Sequence, residues 1–224
     1  MIPYKDDNPT RTFPFFTITI IGINVGIYIM QLASGNLERF AQLYGAIPSA
    51  ILTFESSQPI HPLLTVFSSM FLHGGLFHLA GNMLYLWIFG NNIEDTLGHV
   101  RFLLFYLLAG VIAAYSHAFI EGSSSHIPMI GASGAISGIL GAYLVLYPHA
   151  RVHTLMFFGF FVQVVRIPAL IVIGFWAIIQ ILNGFITASI AHQGGVAWFA
   201  HIGGFLFGLF TIKLWRSRRY YLKW

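Results

Sequence analysis

GASGAISGILGAYLVLY, residues 131–147, decides how the rest of this chain is read. The run carries no charge, and Ser133 sits where it begins, just before Gly134 and two residues after Gly131. From Ala132 to Tyr147 there are 16 residues before Pro148 stops the run. As a helix they cover about 24 Å, short of the roughly 30 Å hydrocarbon core of a bilayer. In a membrane the N-terminus of such a helix is submerged. Its free backbone N–H groups are tolerable only beside water or a ligand.

The composition puts this helix in a membrane. Of 224 residues, 57% are hydrophobic and only 8% are charged, where soluble domains carry about a quarter charged. The mean hydropathy of +0.76 agrees, so the expected class is an all-α, polytopic membrane protein of one domain. The absence of cysteine excludes disulfides and thiolate metal sites. No charged or Ser-rich leader precedes the first apolar run, so no cleavable targeting segment is expected.

Five further apolar runs qualify as spans: Phe13–Ala33, Phe71–Ile93, Phe102–Ile120, Ile167–Ile190 with Pro168 in its first turn, and Ala197–Trp215. Residues 34–70, interrupted by Pro48, Pro59 and Pro62, read as an interfacial loop of short helices. The division is therefore a tail over 1–12, a six-span membrane domain over 13–215, and a basic tail over 216–224. Ten of the eleven Lys and Arg residues fall on one side of this arrangement, with Arg39 alone on the other. The positive-inside rule then puts both termini in the cytosol. The charge of +4 reads as topology and contact with membrane lipids, not as nucleic-acid binding.

With that orientation spans 2, 4 and 6 run the same way. Ser133 lies 14 positions before Tyr147, and His201 lies 14 positions before Trp215. Both stand about 21 Å above the cytosolic end. His78 stands about 18 Å up the second span, with Asn82 one turn below on the same face. Four polar side chains thus occupy one layer of the membrane, where they need a partner or a wet cavity. His201, Gly204 and Gly208 share one helix face, and Gly134, Gly138 and Gly141 accompany Ser133. Small residues at that spacing allow close helix contact, so spans 4 and 6 are expected to pack with Ser133 opposite His201.

That layer suits nucleophilic catalysis. A serine hydroxyl needs a base, and His201 is the candidate on the glycine face. The seven acids, Asp6, Asp7, Glu38, Glu55, Glu94, Asp95 and Glu121, fall in tails, loops or span ends. A Ser–His dyad is therefore expected in place of a triad. Asn82, His78 and the Ser133 backbone N–H are candidate oxyanion donors. The five-residue spacing of His73 and His78 fits one helix face poorly, and no H-E-x-x-H is present. No metal and no cofactor are expected.

These residues resemble the rhomboid intramembrane serine proteases. The likeness rests on His73-x4-His78-x3-Asn82, Gly131-Ala132-Ser133-Gly134 and Ala200-His201-x2-Gly204-x3-Gly208, with Glu94, Gly98, Arg101, Phe102, Tyr106 and Gly110 between spans 2 and 3. It covers about residues 60–215. The resemblance implies a six-helix rhomboid-like bundle that cleaves transmembrane segments of protein substrates near the outer face. Ser133 would be the nucleophile, His201 the base, and His78 with Asn82 the oxyanion hole. It also implies substrate entry beside span 5, under a cap loop at about Ala191–Trp198 given mobility by Gly194-Gly195, and a small residue before the scissile bond. A prokaryotic cell membrane is the expected location.

Two departures stand out. Some bacterial members of the family carry a Trp-Arg pair in the first loop, where this chain has Leu64 and Thr65. Some members have a tyrosine against the histidine ring, where this chain has Ser137, so the orientation of His201 has to come from other packing, with Ser137 the first residue to inspect. Two rival readings use the same residues: a non-proteolytic rhomboid-like binder of membrane proteins, and a small transporter. Inactive relatives usually lose the serine or the histidine, and this chain keeps both. No inverted repeat or polar pore lining is visible.

Overall fold

Every backbone polar group inside a bilayer has to be satisfied within its own segment, so apolar runs become helices. In the computed structural model, which describes residues 2–159, 161–189 and 195–215, the chain opens with strand β1 (Ile2–Asp6). Helices α1 (Phe15–Ala33), α2 (Leu37–Tyr44), α3 (Pro48–Thr53), α4 (Pro62–Ser69) and α5 (Leu76–Tyr85) follow. After a π-helical turn over Leu86–Gly90 come α6 (Asn91–Leu97), α7 (His99–Glu121) and α8 (Ser133–Leu146). Strands β2 (Arg151–Phe158) and β3 (Phe161–Pro168) then lead to α9 (Ala169–Ser189) and α10 (Trp198–Trp215). The last tail, residues 216–224, lies outside the described residues, as do Ala191–Gly194 of the expected cap loop.

The architecture is the expected mostly helical membrane bundle. Helices α1, α7, α9 and α10 are each long and apolar enough to cross a membrane. The second apolar run is helical from Leu76 to Leu97 through its π turn, later than the sequence expectation at both ends. The fourth, α8, has 14 residues, shorter than the four helices long enough to cross. Residues Gly134–Tyr143 of α8 are all buried, because α8 is wrapped by protein rather than lipid. It packs most extensively on α10 and also on α7. Phe89, Phe102, Phe105 and Tyr106 fill the core around it, against Tyr143 of α8 itself.

Glycine fixes the α8–α10 contact. A Cβ built at Gly204 would stand 2.0 Å from the Gly134 carbonyl oxygen, and one at Gly208 would stand 1.9 Å from that of Gly138. On the other face of α8, Cβ atoms at Gly134 and Gly138 would meet Ala113 and Ala109 of α7 at 2.7 and 2.6 Å. Small-residue packing therefore holds α8 on both sides.

A three-stranded antiparallel sheet, in the order β1-β2-β3, sits at one end of the bundle. The sequence reading leaves it out, taking residues 1–12 as a tail and the segment after Pro148 as a loop. Ile2 pairs with Leu155, Asp6 with Val152 and Phe158 with Phe161. Gly159, just after β2, has φ +60, a conformation that glycine adopts without steric cost. Pro168, expected in the first turn of a helix, instead ends β3 opposite Arg151, where its missing N–H leaves no ladder bond unmade.

The same end collects the connections after α6 and α8. Asn8 Nδ2 donates to Asn92 Oδ1, and the backbone N–H groups of Arg11 and Thr12 donate to Asp95. Arg101 donates to the Trp215 carbonyl. Glu94, wholly buried, accepts from the N–H groups of Phe16 and Thr17 and from the Thr17 hydroxyl. A carboxylate from α6 thereby satisfies the otherwise open N-terminus of α1. At the opposite end the first loop forms short helices, as expected. It is tied to the segment before α8 by backbone bonds between Ala46 and Met129 and from Ser49 N–H to the Ser125 carbonyl. Thr65 is buried and donates to the Pro62 carbonyl within α4, so the loop is held to the segment before α8 by those backbone bonds and by the Ser49–His126 side-chain bond.

Candidate active site

Ser133 is the first residue of α8, and Gly131 shapes its approach. Gly131 adopts φ +122, a region that L side chains rarely occupy. Its N–H donates to the Ser69 carbonyl at 2.8 Å. A Cβ at Gly131 would lie 2.7 Å from His78 Nε2 and 3.6 Å from Ser133 Oγ. Only a glycine therefore lets the chain turn into α8 with the serine and the histidine this close.

His201 comes from the first turn of α10. Its Nε2 lies 2.7 Å from Ser133 Oγ, brought there by the Gly204–Gly134 contact one turn below. The imidazole is flanked by Trp176 of α9 and Trp198 of α10, with ring centroids at 6.1 and 6.2 Å. Its Nδ1 lies 2.8 Å from Gln180 Oε1 of α9. Ser137, the first residue to inspect for this task, instead donates to the Ser133 carbonyl at 2.6 Å. That is the ordinary i−4 back-bond of a helical serine. The reading from sequence missed Gln180; the signal available was an amide inside the otherwise apolar run of span 5.

His78 and Asn82 stand on α5, across a cavity of about 560 Å³ that Ser133, His201, Gly131 and Trp176 also line. The Gly74 N–H donates to His78 Nδ1 at 3.4 Å, which leaves the ring proton on Nε2, the nitrogen near Ser133. Asn82 Nδ2 lies 3.0 Å from His73 Nε2. Helix periodicity misjudged His73, because it precedes α5 in an irregular turn. There Gln31 fixes it, accepting from its N–H and donating to its carbonyl. The Asn82 amide carries two N–H bonds, one for His73 and one for the cavity.

The structure thus brings Ser133, His201, His78 and Asn82 around one space, with the N-terminus of α8 facing it. Residues Pro128–Gly131 and Gly195–Ala197 also line this space. A cavity of this kind can hold water against the free N–H groups of a helix end. The arrangement has a hydroxyl with a base, a second nitrogen on that base with its own partner, and donors on the far wall. This is the equipment of acyl transfer.

A family model described as "Rhomboid domain" matches residues 61–218, more than half of the chain. The chain is similar to "Rhomboid protease GluP" of Bacillus subtilis, 31% identical over 210 residues covering 93% of this chain and 35% of that protein. It is similar to "Rhomboid protein 1, mitochondrial" of Saccharomyces cerevisiae, 29% identical over 195 residues covering 85% and 50%. It is also similar to "Presenilin-associated rhomboid-like protein, mitochondrial" of Homo sapiens, 29% identical over 181 residues covering 77% and 45%. The chain spans half or less of the length of these curated relatives. They include mitochondrial as well as bacterial proteins, so the expected prokaryotic location widens to an integral membrane one.

Proposed function

The chain belongs to the rhomboid family, and on that premise we propose that it is an intramembrane serine endopeptidase acting on transmembrane segments of other proteins. The observation that carries the proposal is the 2.7 Å approach of Ser133 Oγ and His201 Nε2 inside a cavity of an apolar bundle. Ser133 Oγ attacks the scissile carbonyl carbon and passes its proton to His201 Nε2. The tetrahedral oxyanion accepts from His78 Nε2–H, the free Asn82 N–H and the Ser133 backbone N–H, helped by the positive end of α8. Collapse breaks the C–N bond, and the departing amine takes the proton from His201. Water, deprotonated by the same imidazole, then attacks the serine ester and releases the acid.

We read the six apolar runs as spans with both termini on the cytosolic side, a reading supported by the described basic residues. Lys5, Arg101, Arg151 and Arg166 all belong to the end that carries the sheet. Substrate approach beside α9 is supported by a groove of about 190 Å³ lined by Tyr85, Val172, Phe175, Trp176 and Ile179. Trp176 lines both this groove and the catalytic cavity. A substrate helix there would have to unwind to reach Ser133, which favours a small residue before the scissile bond.

The test is fluorophosphonate labelling and cleavage of a transmembrane reporter in wild type, Ser133→Ala and His201→Ala. Both variants should insert normally and lose both activities. Cleavage by Ser133→Ala at the wild-type rate would sink the proposal.

A further inference from the structure

The basic nitrogen of an imidazole is chosen by what its other nitrogen bonds. For His201 that partner is Gln180, and the amide's orientation is settled by its second contact. Gln180 Nε2 lies 3.3 Å from the Trp176 carbonyl oxygen on the same helix, and a carbonyl only accepts. The NH2 group therefore faces Trp176, and Oε1 faces His201 Nδ1 at 2.8 Å. An oxygen with no hydrogen demands a proton on Nδ1, so Nε2 is bare where it meets the Ser133 hydroxyl at 2.7 Å. Gln180 and His201 are 6% and 9% exposed, so bulk water does not replace this acceptor.

Among the described residues no acid meets His201 Nδ1. Glu94 is engaged by α1 and His99, and Asp6 by Tyr143 and Asn92, both at the sheet end of the bundle. We propose that Gln180 is a positioning residue that fixes His201 in its Nδ1–H tautomer, performing with a neutral amide what a carboxylate performs in a Ser-His-Asp triad. The same oxygen steadies the imidazolium that forms when Ser133 gives up its proton. The proposal rests on the Ser133–His201 dyad argued above.

Partners that orient a functional histidine through its second nitrogen are worth about 10- to 100-fold where that has been measured at metal sites. Gln180→Leu, similar in volume but without an acceptor, should lower kcat by about that factor with KM little changed. Gln180→Glu should recover most of kcat, since a carboxyl group in either protonation state offers Nδ1–H an oxygen. A role in packing alone would give the opposite ranking, with the apolar leucine tolerated better than the acid.

The deciding measurement is on the full wild-type chain in nanodiscs labelled with 15N-histidine, the His201 signals being those lost in His201→Ala. A protonated Nδ1 and a bare Nε2 are expected, and Gln180→Leu should mix the two tautomers. A wild-type His201 protonated on Nε2 overturns the proposal, and that result does not depend on any variant folding. Fluorophosphonate labelling of the same samples separates the two readings. A wild-type chain that does not label defeats the protease reading. A wild type that labels, with Gln180→Leu labelling at the same rate, defeats only the role given to Gln180.

Discussion

Gly204→Ala tests whether the α8–α10 contact is what holds the dyad together. The new Cβ would stand 2.0 Å from the Gly134 carbonyl oxygen and 3.1 Å from its carbon, where ordinary contact begins at 3.4 Å. The obstacle is backbone, so no side chain can turn away, and α10 has to shift from α8 by about 1.4 Å. His201 is one turn above Gly204, and Ser133 adjoins Gly134. A displacement of that size stretches the present 2.7 Å to roughly 4 Å, beyond hydrogen-bond reach. Overpacking of this kind costs about 1–3 kcal/mol of stability, while a 1 Å misplacement costs about 100-fold in rate. The catalytic loss should therefore be the larger effect. Gly22→Ala is the matched control. It lies within α1 with nothing within 4 Å of its Cβ, and it should gain up to about 1 kcal/mol. Both variants are compared by reporter cleavage, fluorophosphonate labelling and thermal midpoint in nanodiscs. Wild-type cleavage by Gly204→Ala would refute the reasoning, because the dyad would then not depend on that contact.

Two further expectations follow from polar groups outside the dyad. Asn82→Ala should lower kcat by about 10²–10³ as a lost oxyanion donor. It should also lower stability by about 1–3 kcal/mol, because His73 loses its Nε2 partner while its Nδ1 is already buried without one; an unchanged thermal midpoint would show that His73 does not need Asn82. At the sheet, Asp6 and Asp7 should titrate β1 in opposite senses. Burial holds the Asp6 carboxyl above its ordinary 3.8, so its stabilising contribution is complete below 3.8 and is lost as pH rises through the raised value. The hydrogen bond to His153 holds Asp7 below 3.8, so its contribution is complete above 3.8 and is lost as pH falls through the lowered value. Amide-exchange protection of β1 should fall on acidification in Asp6→Asn and rise in Asp7→Asn; slopes of one sign in both would contradict the assignment.

The sequence alone carried the helical membrane class, the shortness of α8 and the grouping of Ser133, His201, His78 and Asn82. These follow from counting, because a helix rises a fixed 1.5 Å per residue in a slab of known thickness. It also determined the glycine face that joins α8 to α10, because a helix repeats its faces every 3.6 residues. The rest depends on partners that no local rule connects. Gln180 meets His201 from a neighbouring helix, and its amide is one polar group in an apolar run until both helices are in place. His73 supports Asn82 from an irregular turn, where helical periodicity does not apply. Glu94 closes the N-terminus of α1 from 77 positions away. Strand β1 finds β2 across about 150 positions of chain, and a strand's hydrogen-bonding edge is the same for any partner. Chain geometry sets the depth of a residue along its own helix, and the packing of helices against one another sets which residue it faces there.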